Sequence, residues 1–206
     1  MSLVLAKHVG SVLTLPLAAT IAREVSPSGP LLRDLWPAGA YGAYTLQSER
    51  LVSAYDALRG HRMRYLAETN PGQRNDLTDW DSLMESQRIG EHVIFTARGQ
   101  AGDIVASLWL WFGLDLDTQR WQVLDDIFYV LPEHRGGMLA VRLWQYAERC
   151  MFAIGARDAQ FHSRLDNGAQ RMARYLGYTA TATRVKKTSD GDSFADVPTR
   201  HTKAIP

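Results

Sequence analysis

The feature that most constrains this 206-residue chain is a change of apolar period at Pro132. Before it lie three strand-like runs, Glu91 to Arg98, Asp103 to Leu114 and Arg120 to Leu131. They are separated by Gly99-Gln100-Ala101-Gly102 and Asp115-Leu116-Asp117-Thr118. Consecutive strands with short turns predict an antiparallel meander. After Pro132 the period becomes helical: Ala140, Leu143, Trp144, Ala147, Cys150, Met151 and Ile154 form one stripe. Arg142, Gln145, Glu148 and Arg149 fall mainly outside it, and Gly155 is placed to cap the helix. Such a chain is a mixed α/β domain with one central sheet.

The flanking segments add elements to that frame. Leu51, Ala54, Tyr55, Leu58, Met63 and Leu66 predict a helix from Gln47 to Ala67, ended by Asn70-Pro71-Gly72. A short helix is expected from Trp80 to Arg88, with Asp79 or Asp81 near its start. Downstream come a strand from Ala159 to Ser163 and a helix from Asn167 to Leu176, ended by Gly177. Strands from Tyr178 to Lys186 and from Ser193 to Val197 flank an Asp190-Gly191 turn. We divide the chain into an arm, residues 1–46, and a domain, residues 47–206. The arm carries Leu13, Leu15, Leu17, Leu31, Leu32, Leu35 and Trp36, too apolar for a solvated tail. It is expected to pack on the domain or on a second copy in a homodimer.

Composition narrows the function classes. The chain is 46% apolar and 22% charged, as a globular domain is, with a net charge of +1. No strong field draws it to nucleic acid or anionic lipid. Lys7, His8 and Pro16 interrupt the apolar start, so no spanning helix is expected, and no basic stretch marks a secretory leader. The lone Cys150 allows no intrachain disulfide, which fits a reducing cytoplasm. Its place in the helical stripe predicts a buried, inert thiol. His61, His92 and His201 lack metal-ligand spacing, so no metal is expected.

The segment Val130-Leu131-Pro132-Glu133-His134-Arg135-Gly136-Gly137-Met138-Leu139-Ala140 carries the chemistry. A strand ends, a turn follows, and two glycines precede an amphipathic helix. That arrangement aims unpaired N–H groups and the positive end of a helix dipole at one point, which suits a phosphate or pyrophosphate. From physics alone a plain strand–turn–helix, with glycines serving the turn, is the preferred reading. It lacks the lysine of GxxxxGK[ST] and the spacing of GxGxxG.

The same segment resembles motif A of the GNAT N-acetyltransferases, [RQ]-x-x-G-x-[GA] after a strand ending V-x-P-E-x-R-G. Val130, Pro132, Glu133, Arg135, Gly136 and Ala140 match, while Met138 stands where the central glycine usually is. Downstream, Asn167 to Tyr178 is similar to the family's closing segment, Asn…Tyr-x-x-x-Gly-Phe/Tyr, with Ala173 at the tyrosine position and Tyr175 two places along. The wording PEHRGG also resembles GNAT-like proteins of tailed bacteriophages, which would place the chain in a host cytoplasm. The resemblance spans about residues 90–187. It implies a GNAT-like, mainly antiparallel central sheet flanked by helices, with an N-terminal extension. It also implies acetyl-CoA as cosubstrate. The diphosphate would be held by Arg135, Gly136, Gly137, Met138, Leu139 and Ala140, with Asn167 contributing. The thioester would meet free backbone N–H groups at Tyr129, Val130 and Leu131.

Acetyl transfer to an amine needs a proton acceptor. Asp125 and Asp126 are the candidates, because carboxylates inside an apolar strand are costly unless solvated or paired. Alternation sends them to opposite faces, with Asp126 expected beside Phe128 and Val130 and preferred as base. His162 and Ser163 either border the active site or form a satisfied strand-end pair, and the second reading is preferred. His134 is read as a surface turn residue. Trp109, Trp111, Phe112 and Trp121 are read as core, and Arg184, Lys186 and Lys187 as a solvated face. The sequence therefore predicts an N-acetyltransferase that moves acetyl directly from acetyl-CoA to an unidentified amine. The alternative is a non-catalytic binding, viral structural or inhibitor protein built on the same fold.

Overall fold

The structure is a computed structural model and describes residues 12, 14, 17, 36–69, 78–163 and 168–181. The meander lies where the alternation placed it. Strands β3 (His92–Arg98), β4 (Ile104–Leu114) and β5 (Trp121–Val130) pair antiparallel in sequence order. Gly99 N donates to Asp103 O at 2.9 Å and Gly102 N to Gly99 O at 3.0 Å, closing the first turn. Two strands from the N-terminal side, β1 (Gly39–Tyr41) and β2 (Tyr44–Glu49), extend the sheet beyond β3. On the far edge β6 (Asp158–Gln160) pairs parallel to β5. The result is a six-stranded, mainly antiparallel sheet in the order β1-β2-β3-β4-β5-β6.

The helix expected from Gln47 is corrected here. Residues 44–49 are strand, a 3-10 turn follows at Leu51–Ser53, and helix α1 spans Tyr55–Thr69. Pairing with β3 overrides local periodicity, because it gives these backbone groups partners and buries Leu46. Glu49 is buried there too, and Arg98 Nε donates to it at 2.6 Å. The expected arm boundary at residues 46 and 47 falls inside β2. The described part of the arm packs on the domain: the Trp36 ring lies on Phe95, Tyr146 Oη donates to Pro37 O at 3.0 Å and Arg142 lies over the Tyr41 ring, while most of residues 1–35 lies outside the described residues.

Helix α2 (Trp80–Arg88) begins as expected, with Asp79 as its cap accepting from Ser82 N at 3.0 Å. Helix α3 (Leu139–Ala153) lays Leu143, Trp144, Ala147 and Met151 against the sheet. It ends in a left-handed Gly155 at φ 104°, with Ala156 N donating to Met151 O at 3.1 Å. The short helix α4 (Ala169–Tyr175) ends the same way at Gly177, and Tyr178 N donates to Ala173 O at 3.0 Å. Residues 178–181 carry no strand, and the rest of the last two expected strands lies outside the described residues.

Helices α1 and α2 cover one face of the sheet and α3 the other. The α1 helix buries only Leu58 and His61. His61 Nε2 donates to Ile104 O at 2.8 Å, and Ser107 Oγ lies 3.3 Å from Nδ1. Nearby, Arg62 donates to Asp126 at 3.0 Å and lies over the rings of Trp109 and Trp80. His92 is fully buried beside Trp109 and Trp111, with Nε2 3.8 Å from Asp126, beyond hydrogen-bond reach. The expected core role of Trp109 holds, since it is fully buried. Phe112 stacks on Trp121 at 4.8 Å.

Two stability predictions follow from this face. Arg62→Ala leaves the Asp126 carboxylate unpaired under the helix and destabilises the fold by about 3 kcal/mol. The double variant Arg62→Met, Asp126→Leu recovers most of that in urea denaturation; a double as unstable as the single contradicts the account. Burial holds both His61 and His92 below the ordinary imidazole value of 6.5. Above that value both states are neutral and nothing is lost. As pH falls below it the unfolded chain takes protons that the folded rings refuse. The urea midpoint therefore declines from about pH 7 to about pH 5. The decline is shallower in His92→Phe, and equal slopes would remove His92 as its source.

Candidate active site

A cleft opens where β5 and β6 part. Their pairing runs through Gln122↔Asp158, Val123↔Ala159 and Leu124↔Gln160, and then stops. Strand β5 continues to Val130 without a strand neighbour on that side among the described residues. The cleft measures ≈ 630 Å³ and runs from Asp125, Phe128, Tyr129 and Val130 to the α3 start. Phe161 and His162 form another wall, and α1 reaches its rim through Tyr65, Glu68 and Thr69. Helix α4 contributes Arg171, Met172 and Tyr175.

The glycine loop lies on this cleft. Arg135, Gly136, Gly137, Met138 and Ala140 all line it, and Val141 joins them. A 3-10 turn at Pro132–His134 delivers the chain, with Arg135 N donating to Pro132 O at 3.1 Å. Gly136 takes φ 96°, which requires glycine, whereas Gly137 has ordinary backbone. Met138 occupies the helix cap position and offers no side-chain cap. Arg142 N donates to Met138 O at 2.9 Å. The N–H groups of Leu139, Ala140 and Val141 precede that first bond and have no partner within the helix. They stand at the positive end of the α3 dipole. Leu139 itself turns its side chain into the core.

Arg135 is occupied by the protein. Its Nε donates to Val130 O at 2.7 Å, and its Nη2 donates to both Glu68 oxygens at 2.9 and 3.1 Å. Tyr129 Oη donates to the same carboxylate at 3.0 Å. The Arg135 guanidinium holds the Glu68 carboxyl below its usual range. His134 faces away, 3.0 Å from Tyr44 Oη, in keeping with a turn residue.

The β5 edge corrects two expectations. Leu131 N donates to Val105 O at 2.9 Å, so this N–H is spent on β4 and is not free for a thioester. Antiparallel alternation puts Tyr129 N–H on the β4 side as well. The donors that face the cleft are those of Val130 and Phe128. The second correction comes from a β-bulge. Trp109 pairs with Ile127 and Leu110 with Asp125, so Asp126 is the extra residue between them. The two carboxylates do leave on opposite faces, but the faces are exchanged. Asp126 meets Arg62 of α1, whereas the Phe128 ring packs on Trp144 of α3. Burial works against the Asp126 charge, but His92 and the Arg62 guanidinium outweigh it and hold the carboxyl below its usual range. Asp126, the preferred base, does not line the cleft, and Asp125 does.

Asp125 takes over where the main-chain ladder stops. Its Oδ1 accepts from His162 N at 2.7 Å and lies 2.7 Å from His162 Nδ1. Burial pushes the Asp125 carboxyl up, and the bonds from His162 oppose that only in part. Sequence reasoning placed His162 beside the site but preferred a bland role, because no spacing signal links residues 125 and 162. Ala173, at the position of the family's tyrosine, is buried, and Tyr175 lines the cleft with 65% exposure. Asn167 lies outside the described residues. Cys150 is buried in α3, where burial pushes its thiol up to about 11. Among the described residues no helix is long and apolar enough to cross a membrane, and no cluster of three His, Cys, Asp or Glu stands together.

No protein-family model matches the chain, and no curated protein sequence matches it. Solved structures do. One is AAC(6')-Iy in complex with the bisubstrate analogue CoA-S-monomethyl-acetylneamine, at 18% identity and TM-score 0.58 over 72% of this chain and 99% of that one. Another is glucosamine-6-phosphate N-acetyltransferase from Arabidopsis thaliana, at 14% identity and TM-score 0.56 over 72% and 100%. A third is an aminoglycoside acetyltransferase from an uncultured soil metagenomic sample in complex with sisomicin, at 13% identity and TM-score 0.57 over 71% and 95%. The bacteriophage resemblance finds no support among them. At these identities the likeness speaks for architecture, and the mixed sheet parted beside a glycine loop is the GNAT fold.

Proposed function

We propose that the protein is an N-acetyltransferase that moves acetyl from acetyl-CoA directly to an amine. One observation carries the reading: the parted β5 edge and the unpaired N–H groups at the start of α3 face one cleft. The loop N–H groups from Gly136 to Val141 hold the CoA diphosphate, with the dipole of α3 behind them. The Phe128 and Val130 N–H groups polarise the thioester carbonyl as its oxygen gains charge. The acceptor nitrogen enters from the open end and attacks that carbon. Cys150 takes no part, being buried with a raised thiol pKa. The compared enzymes act on aminoglycosides and glucosamine 6-phosphate by their names, which makes these amines suitable probes for this chain. The rival reading, a binding protein on the same fold, draws on Ala173 where the family carries a tyrosine.

Isothermal titration tests the site first. Acetyl-CoA binds with a Kd in the nanomolar to micromolar range. Gly136→Ala forces a side chain into a left-handed backbone and weakens binding about tenfold. Gly137→Ala, at an ordinary backbone position where the added Cβ meets no protein atom within 4 Å, leaves the stability of the fold within about 0.5 kcal/mol. No binding at millimolar acetyl-CoA overturns the reading. Binding without thiol release in the presence of sisomicin, glucosamine 6-phosphate or ethylamine favours the rival.

A further inference from the structure

We propose that His162 and Asp125 form a proton-relay dyad at the apex of the cleft, with His162 Nε2 as general base for the acceptor amine and Asp125 as its positioning residue. The proposal rests on the acetyl-transfer reading above and assigns the proton acceptor within it.

Three observations carry it. The first is position: His162 follows the last β5–β6 pair, Leu124↔Gln160, by two residues, so it stands where the strands part. The second is orientation. One Asp125 oxygen engages both the main-chain nitrogen and the ring of His162, each at 2.7 Å. A tie that served the backbone alone would need only the first contact. With Nδ1–H donating to the carboxylate, the ring is the tautomer whose lone pair lies on Nε2. Among the described residues nothing pairs with that nitrogen. The third is the contrast in burial: the Asp125 side chain is 8% exposed and His162 44%, so the carboxylate is withdrawn while the ring reaches the cleft. Phe161 anchors the approach, packing on Trp144 at 4.5 Å and Tyr178 at 6.0 Å.

The chemistry closes on these two residues. The amine lone pair attacks the thioester carbon and the C–N bond forms. The C–S bond breaks and sulfur keeps the pair. The proton shed by nitrogen goes to Nε2, giving an imidazolium that the Asp125 carboxylate stabilises in a poorly solvated setting. That proton then passes to the thiolate, which leaves as the CoA thiol and restores the neutral ring. Other charged or titratable groups around the ring are Tyr178, Arg171 and Tyr175 from the α4 side, with Glu148 of α3 behind Tyr178. Across the cleft stand Glu68 and Arg135, which pair with each other.

The test uses the full chain, with acetyl-CoA as donor and sisomicin, glucosamine 6-phosphate and ethylamine as amine probes. His162→Gln is expected to lower kcat/KM by roughly 10²-fold or more. It also removes the acid limb of the pH profile, while acetyl-CoA affinity from titration is unchanged. Asp125→Asn keeps an acceptor for His162 N, so the fold survives; it lowers kcat/KM and shifts the acid limb without abolishing it. Nitrogen-15 NMR of the wild-type ring is expected to show the proton on Nδ1 and a bare Nε2. An unaltered rate and pH profile in His162→Gln overturns the dyad, as does a ring protonated on Nε2 alone. Bound acetyl-CoA with no turnover of any probe also overturns it. Failure of the wild type to bind acetyl-CoA overturns the acetyl-transfer reading instead, and the ring spectrum still judges the dyad's geometry.

Discussion

Beyond Leu124 and Gln160 the two parallel edge strands separate, and a side chain replaces the main-chain ladder. Asp125 reaches across the opening and accepts from His162 N at 2.7 Å. If main-chain pairing continued, the β5 edge would be covered and there would be no cleft. The interaction marks the place where the opening begins. The glycine loop and the start of α3 face the volume that opens there.

A single extra residue decides what each carboxylate can do. The bulge at Asp126 lets Asp125 pair with Leu110 and turns the adjoining side chain under α1. There Asp126 meets Arg62, close to the buried His92 and the indole of Trp109. Its charge is satisfied inside the protein, in a cluster that ties α1 to the sheet. Asp125, by contrast, is buried among cleft groups and linked to a half-exposed ring. Two neighbouring residues of one type thus serve different ends, one bracing a helix and the other facing the opening. Alternation alone would part the two; the bulge exchanges their faces, because one extra residue shifts the alternation along the rest of the strand.

Much of the frame is legible in the amino-acid order. The meander, α2 and α3 follow from period, turn glycines and caps, because local chemistry and burial point the same way there. Gly155 and Gly177 mark helix ends as their position after apolar stripes suggests. The stretch from Gln47 misleads for a physical reason. Its helical periodicity is genuine, but β3 offers an unpaired edge, and satisfying backbone groups there outweighs a weak local preference. Likewise the loop from Arg135 to Ala140 is visible as a motif, while its salt link to Glu68 is not, since the two lie far apart in the chain.

By itself the sequence determined the three-stranded meander, the position of the glycine turn and the helix that follows it. These depend on neighbours within a few residues, where propensity and hydrogen-bond geometry act. Only the tertiary structure decided which aspartate meets the cleft, which N–H groups of β5 remain free, and that His162 stands against Asp125. Each of those depends on strand register, and register is set by contacts between distant segments. One inserted residue reverses every facing that alternation would assign.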